Sequence, residues 1–261
     1  MIFLKTDEEI ELLRESNILL GKAMGEVAKV VKPGVTTAQL DKVFHEFICD
    51  NGAVPGFLNY GGFPKSLCTS VNEQVVHGIP SDDVVLREGD IVSCDGGCIL
   101  NGFNSDSAYT FPVGEISPEV MALLRTTKES LFKGIEQAVA NRRVGDIGYA
   151  VQSYCEQRGY SVVREMVGHG VGRSLHESPE VPNYGRRGNG VLLKSGMTIA
   201  IEPMICLGRR NLIFESDGWT TRTADRKPAA HFELSIAVRK DKADILSTFE
   251  YIEQVLGERA I

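Results

Sequence analysis

No apolar run in the sequence approaches the roughly 18–20 residues of a membrane span, so no transmembrane segment is expected. The start lacks the long apolar stretch of a secretory leader: Met1-Ile2-Phe3-Leu4-Lys5 passes at once into acidic Thr6-Asp7-Glu8-Glu9. Basic charge is in deficit, with 28 Lys and Arg against 35 Asp and Glu for a net charge of −7. That balance argues against binding nucleic acid by phosphate neutralisation, which needs a basic face. Six cysteines (Cys49, Cys68, Cys94, Cys98, Cys155, Cys206) include no Cys-x-x-Cys pair, and no second Cys or His pair completes a zinc-finger spacing. With no export signal they read as reduced, mostly buried thiols of a cytosolic protein. Other chemistries fail by one residue. Gly168-His169-Gly170 is followed by Arg173 where a dinucleotide fold needs its third glycine. Gly62, not lysine, follows Gly56 to Gly61, and His45-Glu46 lacks the second histidine of a zincin helix. No Gly-x-Ser-x-Gly nucleophile elbow occurs.

What is present is an ordinary globular composition, 43% apolar and 24% charged over 261 residues, enough for one large domain or two small ones. Thr6 with Glu9 has capping-box form, and Ile10, Leu13, Leu20, Met24, Val27 and Val31 recur at helical spacing until Lys32-Pro33-Gly34. Thr36 with Gln39 opens a second helix through Leu40, Val43, Phe44 and Phe47, which Asp50-Asn51-Gly52 ends. The order then repeats. Ser117-Pro118 begins a long helix through Val120, Leu124, Leu131, Ile135 and Val139, and Val144-Gly145-Asp146 opens a shorter one reaching Gly159. Segments of β character follow each pair, Ser66 to Phe111 and Tyr160 to Val238. This predicts an α+β fold of duplicated helix-helix-strand halves, approximately 1–115 and 116–261, forming a single domain over 1–261 with no linker between the copies.

The stretch Ile91 to Phe111 reads as a hairpin turning at Asn101-Gly102, the pair a type I′ turn favours because both residues need positive φ. In that register Asp95 opposes Ala108 and Asp106 opposes Gly97. Asp95 and Asp106 then lie diagonally on one face, with β-carbons about 7 Å apart or less. Two aspartates solvated on a wet sheet face fit this arrangement as well as a shared cation does. Three more elements bear on the choice. Gly168-His169-Gly170-Val171-Gly172 sets an imidazole among glycines, and Glu202 interrupts an apolar strand, Met197 to Met204. Glu233 lies between Phe232 and Leu234. A lone acid on an apolar strand is ordinarily a paired structural group, yet neither strand brings a nearby Lys or Arg. Four acids and a histidine without basic partners form a donor set for a pair of divalent cations.

At this point the chain resembles, over nearly its whole length, the methionine aminopeptidases of short type I form, which have the pita-bread fold around a curved antiparallel sheet. The resemblance is carried by Gly62-Phe63-Pro64-Lys65-Ser66, Val76-His77-Gly78-Ile79-Pro80, the Asp95/Asp106 pair, Gly168 to Arg173, His176-Glu177, Ile201-Glu202-Pro203-Met204, Asp217-Gly218-Trp219-Thr220 and Phe232-Glu233. It implies two divalent cations per chain (Co, Mn, Fe or Zn), with Asp95 on one, Asp106 and Glu233 bridging, and His169 and Glu202 completing the other. A water activated by them is the implied nucleophile, with Glu202 as base, His176 donating to the scissile carbonyl and His77 near the scissile nitrogen. The resemblance places Tyr60, Phe63, Cys68, His77, Leu175 and Trp219 around the side chain of the substrate's first residue, with His176 also among the substrate-binding residues. The implied substrates are N-terminal Met peptides of nascent chains with a small second residue, handled by a cytoplasmic monomer, with ribosome association open. Prolidase-like X-Pro cleavage and a non-catalytic partner-binding role are the rival readings. Four positions depart from the family pattern: Leu234 where His is common after the bridging Glu, Phe57 and Gly61 where Cys and His are frequent, and Leu175 where an aromatic is usual.

Overall fold

The computed structural model describes residues Met1–Ile261. Helix α1 covers Asp7–Val30 and α2 covers Thr37–Asp50. Both begin with the capping boxes read from the sequence: the hydroxyls of Thr6 and Thr36 accept from the Glu9 and Gln39 amides, and those side chains accept in return. Ile10, Leu13, Leu20, Met24 and Val27 form the buried stripe of α1. The second pair is α3, Pro118–Ile135, and α4, Val144–Glu156. Here the expectation of a helix through Val139 is corrected. After Ile135 the amides of Gln137 and Ala138 bond three residues back instead of four, and Val139 leaves to bridge Arg239. Tertiary pairing overrides an apolar repeat that by itself would continue. A fifth helix, α5 over Glu250–Leu256, has no counterpart in the sequence reading.

The hairpin of Ile91–Leu100 and Phe103–Pro112 has the expected register, with Asp95 opposite Ala108 and Gly97 opposite Asp106. Its turn residues Asn101 and Gly102 take φ of 53° and 78°, as the turn type requires. Leu67–Val71 pairs along the other edge of Ile91–Leu100. A five-stranded antiparallel sheet from the second half runs Asp244–Ile245, Leu234–Ala237, Thr198–Ile201, Gly168–Gly170, Glu177–Val181.

The two halves meet along one seam. The Glu233 amide donates to the Ala108 carbonyl at 2.9 Å, and the Ser107 hydroxyl donates to the Glu233 carbonyl at 3.0 Å. Thr110 accepts from the His231 amide at 2.9 Å and donates to its carbonyl at 2.7 Å, and Ser235 donates to the Asp106 carbonyl. Core residues of both halves, Leu20, Phe44 and Phe111 with Leu131, Ile199 and Ile236, belong to one continuous apolar cluster. The seam therefore fixes Asp106 and Glu233, from opposite halves, against each other.

Candidate active site

Each acid is delivered by a different element. Asp95 and Asp106 come from the two hairpin strands, and Glu202 follows the strand Thr198–Ile201. Glu233 sits at the seam, just before Leu234–Ala237. His169 is central in Gly168–Gly170. Its Nδ1 meets the Gly170 carbonyl at 2.8 Å, so Nδ1 carries a proton and, in the neutral ring, Nε2 holds the lone pair. That Nε2 lies 3.5 Å from Asp106 Oδ2 and 3.6 Å from Glu202 Oε1.

These groups are poorly matched to one another without a cation. Asp95 Oδ1, Asp106 Oδ1 and Glu233 Oε1 are buried with no hydrogen-bond partner. Burial, then repulsion from Asp106 and Glu202, holds the Asp95 and Glu233 carboxyls well above their ordinary range. Burial works against a charge on His169, but Asp106 and Glu202 outweigh it and push that imidazole up to about 9. No Lys or Arg pairs with any of the four acids. Two sets of donor atoms, Asp106/His169/Glu233 and Glu202/His231/Glu233, each lie within 4.8 Å of one another. Oxygen donors with imidazole, drawn together and orphaned, fit a divalent metal ion.

The acids floor a cavity of about 240 Å³. All seven residues expected around the substrate line it: Tyr60, Phe63, Cys68, His77, Leu175, His176 and Trp219. Phe63 meets Trp219 edge-on at 5.1 Å, and Phe57, Phe63, Cys68 and Leu175 form a small buried apolar cluster of their own. Phe57 and Gly61, two of the departures, are in the lining. Leu234 is not; it packs in the main core opposite Ile201. Burial, with His169 adding to it, lowers the His176 imidazole to about 4, so it is neutral. The Tyr60 hydroxyl is 2.7 Å from His176 Nδ1. A phenol donating to Nδ1 leaves the proton on Nε2, an arrangement suited to donating a hydrogen bond. His77 is lowered by burial as well, and its backbone is held at φ 59°, in the left-handed region.

Sequence reasoning missed Val76, Met166, Val167, Met204 and His231 in this lining. Two had a signal. Met204 lies two residues after Glu202 and His231 two before Glu233, and extended chain places side chains two apart on one face.

Four acids and a histidine collected from both halves of the chain beside an apolar cavity are the donor set of a metal-dependent hydrolase. The profile of metallopeptidase family M24 matches residues 11–240. Methionine aminopeptidase of Clostridium acetobutylicum is 50% identical over 250 residues, which cover 96% of this chain and 100% of that one. Methionine aminopeptidase 1 of Bacillus subtilis is 47% identical, with 95% and 99% covered. The crystal structure of methionine aminopeptidase from Rickettsia prowazekii superposes with a TM-score of 0.93 at 42% identity, covering 95% of this chain and 100% of that chain. The chain thus belongs to metallopeptidase family M24 and, within it, to the methionine aminopeptidases. Its fold is the pita-bread fold of that family.

Proposed function

We propose that this chain hydrolyses the bond after the initiator methionine of newly made polypeptides, using two divalent cations held by Asp95, Asp106, His169, Glu202 and Glu233. The observation that carries the reading is the set of orphaned carboxylate oxygens at the floor of an apolar slot. Asp95, Asp106 and Glu233 would hold one cation, and Asp106, His169, Glu202 and Glu233 the other. Bound there, the cations supply the Lewis acidity that lets water act as a nucleophile near neutral pH. Glu202 takes the proton of the attacking water and returns it to the leaving amine. The Nε2 proton of His176 donates to the scissile carbonyl as charge develops on its oxygen, and the Tyr60 hydroxyl keeps that tautomer in place. His77, in its constrained backbone conformation, stands beside the scissile nitrogen.

The methionine side chain enters among Phe63, Cys68, Leu175 and Trp219, where sulfur–aromatic contacts favour a thioether by about 0.3–1.5 kcal/mol each. His77 and His176 crowd the scissile bond, so small second residues are preferred. Every group named comes from one chain, so a monomer suffices, and the substrate places the reaction in the cytoplasm where nascent chains emerge. The test is reconstitution of chelator-treated protein with Mn(II), Fe(II), Co(II) or Zn(II) under nitrogen, assayed on Met-Ala-Ser. Methionine release that returns with at least one cation, saturating near two per chain, supports the reading. Inactivity with all four contradicts it.

A further inference from the structure

His231 is the one imidazole at this site that neither the resemblance nor the mechanism employs. Its side chain is 1% exposed, and neither ring nitrogen has a hydrogen-bond partner. His169 and His176, by contrast, each have Nδ1 engaged, by the Gly170 carbonyl and the Tyr60 hydroxyl. A fully buried imidazole with two idle nitrogens costs stability unless something completes it. What faces it are two carboxylates: His231 Nε2 lies 3.6 Å from Glu202 Oε2 and 4.0 Å from Glu233 Oε2. Those separations are too long for hydrogen bonds. They are right for sharing an ion, since two atoms each about 2.1 Å from one cation are at most about 4.2 Å apart.

We infer that His231 is a ligand to a divalent cation held with Glu202 and Glu233, giving the site a second ligating imidazole. The inference rests on the metallopeptidase reading above and adds a residue to it. Geometry elsewhere supports a fixed ligand. The His231 backbone is clamped on one side by both hydrogen bonds to Thr110 and on the other by pairing with Met204. The ring therefore stands where the seam between halves puts it, a preorganised donor. Glu202 is consequently flanked by an imidazole on each oxygen, His169 at Oε1 and His231 at Oε2, both at 3.6 Å. An added nitrogen donor moves the site away from Mn(II), which favours all-oxygen sets, and toward Fe(II), Co(II) and Zn(II).

The experiment loads wild type, His231→Gln, His231→Ala and His169→Ala with one equivalent of Co(II). It records the visible absorption spectrum, the affinity by calorimetry and the melting curve of each. The expected result for both His231 variants is a folded protein with a shifted Co(II) band and affinity for the first cation weakened by at least about 10-fold. An unchanged spectrum and affinity in a folded His231 variant, while His169→Ala loses both, overturns the role of His231 and leaves the metallopeptidase reading standing. Unchanged Co(II) binding in His169→Ala as well would mean that the metal site itself is misplaced. Should the His231 variants fail to fold, X-ray absorption of the Co(II)-loaded wild type decides: two imidazoles per cation support the assignment, and one overturns it.

Discussion

Replacing Glu202 by Gln separates the chemistry of that side chain from its packing. The amide has the same shape, the side chain is only 12% exposed, and the backbone carbonyl that accepts from Asn183 Nδ2 at 2.9 Å is untouched. What is lost is a group able to take a proton from water. Positioned general bases contribute about 10²–10⁴-fold, which at about 1.36 kcal/mol per decade is a barrier increase of about 2.7–5.4 kcal/mol. Stability should move the other way in the absence of metal. Glu202 is among the charges that raise both Asp95 and Glu233, so removing it relieves repulsion in the buried cluster. The assay is initial-rate hydrolysis of Met-Ala-Ser by metal-loaded protein, with metal content measured on the same sample and melting curves recorded with excess chelator. Turnover should fall by at least about 100-fold in kcat, with a chelator-treated melting temperature no lower than wild type. Near-normal turnover with cations bound would rule out Glu202 as the base, and a metal-free variant that melts well below wild type would rule out repulsion in the cluster.

The cluster also predicts that wild type melts lower in excess chelator than in excess Mn(II) or Co(II), because ligands that bind only the folded state add RT ln(1 + [L]/Kd) to its stability. Identical curves after verified metal removal would argue that no cation sits among these acids. A second perturbation acts through the backbone under His77. A β-carbon at Gly78 would stand 2.2 Å from the Thr69 carbonyl oxygen, a group held in place by strand pairing. Gly78→Ala should therefore cost about 1–3 kcal/mol by chemical denaturation and lower kcat/KM by displacing His77; wild-type values for both would show that this segment yields freely.

Local chemistry made much of the fold legible. The two threonine capping boxes and the Asn101-Gly102 turn satisfy their own hydrogen bonds within a few residues, and the turn then fixed the Asp95/Asp106 diagonal through strand periodicity. What could not be read was set at long range. The end of α3 depends on Arg239, and α5 is a short helix stabilised by packing on α1 rather than by a sustained periodic pattern. The seam joins residues 106–110 to 231–235 through hydrogen bonds that no local pattern announces. His231 was missed for a different reason. Its His-x-Glu spacing puts it on the same face as Glu233, but a histidine at a strand end is unremarkable, whereas an acid interrupting an apolar strand is not.

Competing peptides show which bond is cut. The measurement is kcat/KM for release of the first residue from Met-Ala-Ser, Leu-Ala-Ser, Met-Lys-Ser and Ala-Pro-Ser by the same metal-loaded preparation. Phe63, Cys68, Leu175 and Trp219 line the cavity, and on the proposed binding mode a thioether would fit among them better than leucine, whose branch point lies nearer the backbone. A misfit of about a methylene is worth roughly 10–200-fold in such pockets. Met-Ala-Ser should be cleaved at least about 10-fold faster than each of the others. Equal rates on Met-Ala-Ser and Leu-Ala-Ser, or preferential cleavage of Ala-Pro-Ser, would contradict the methionine assignment.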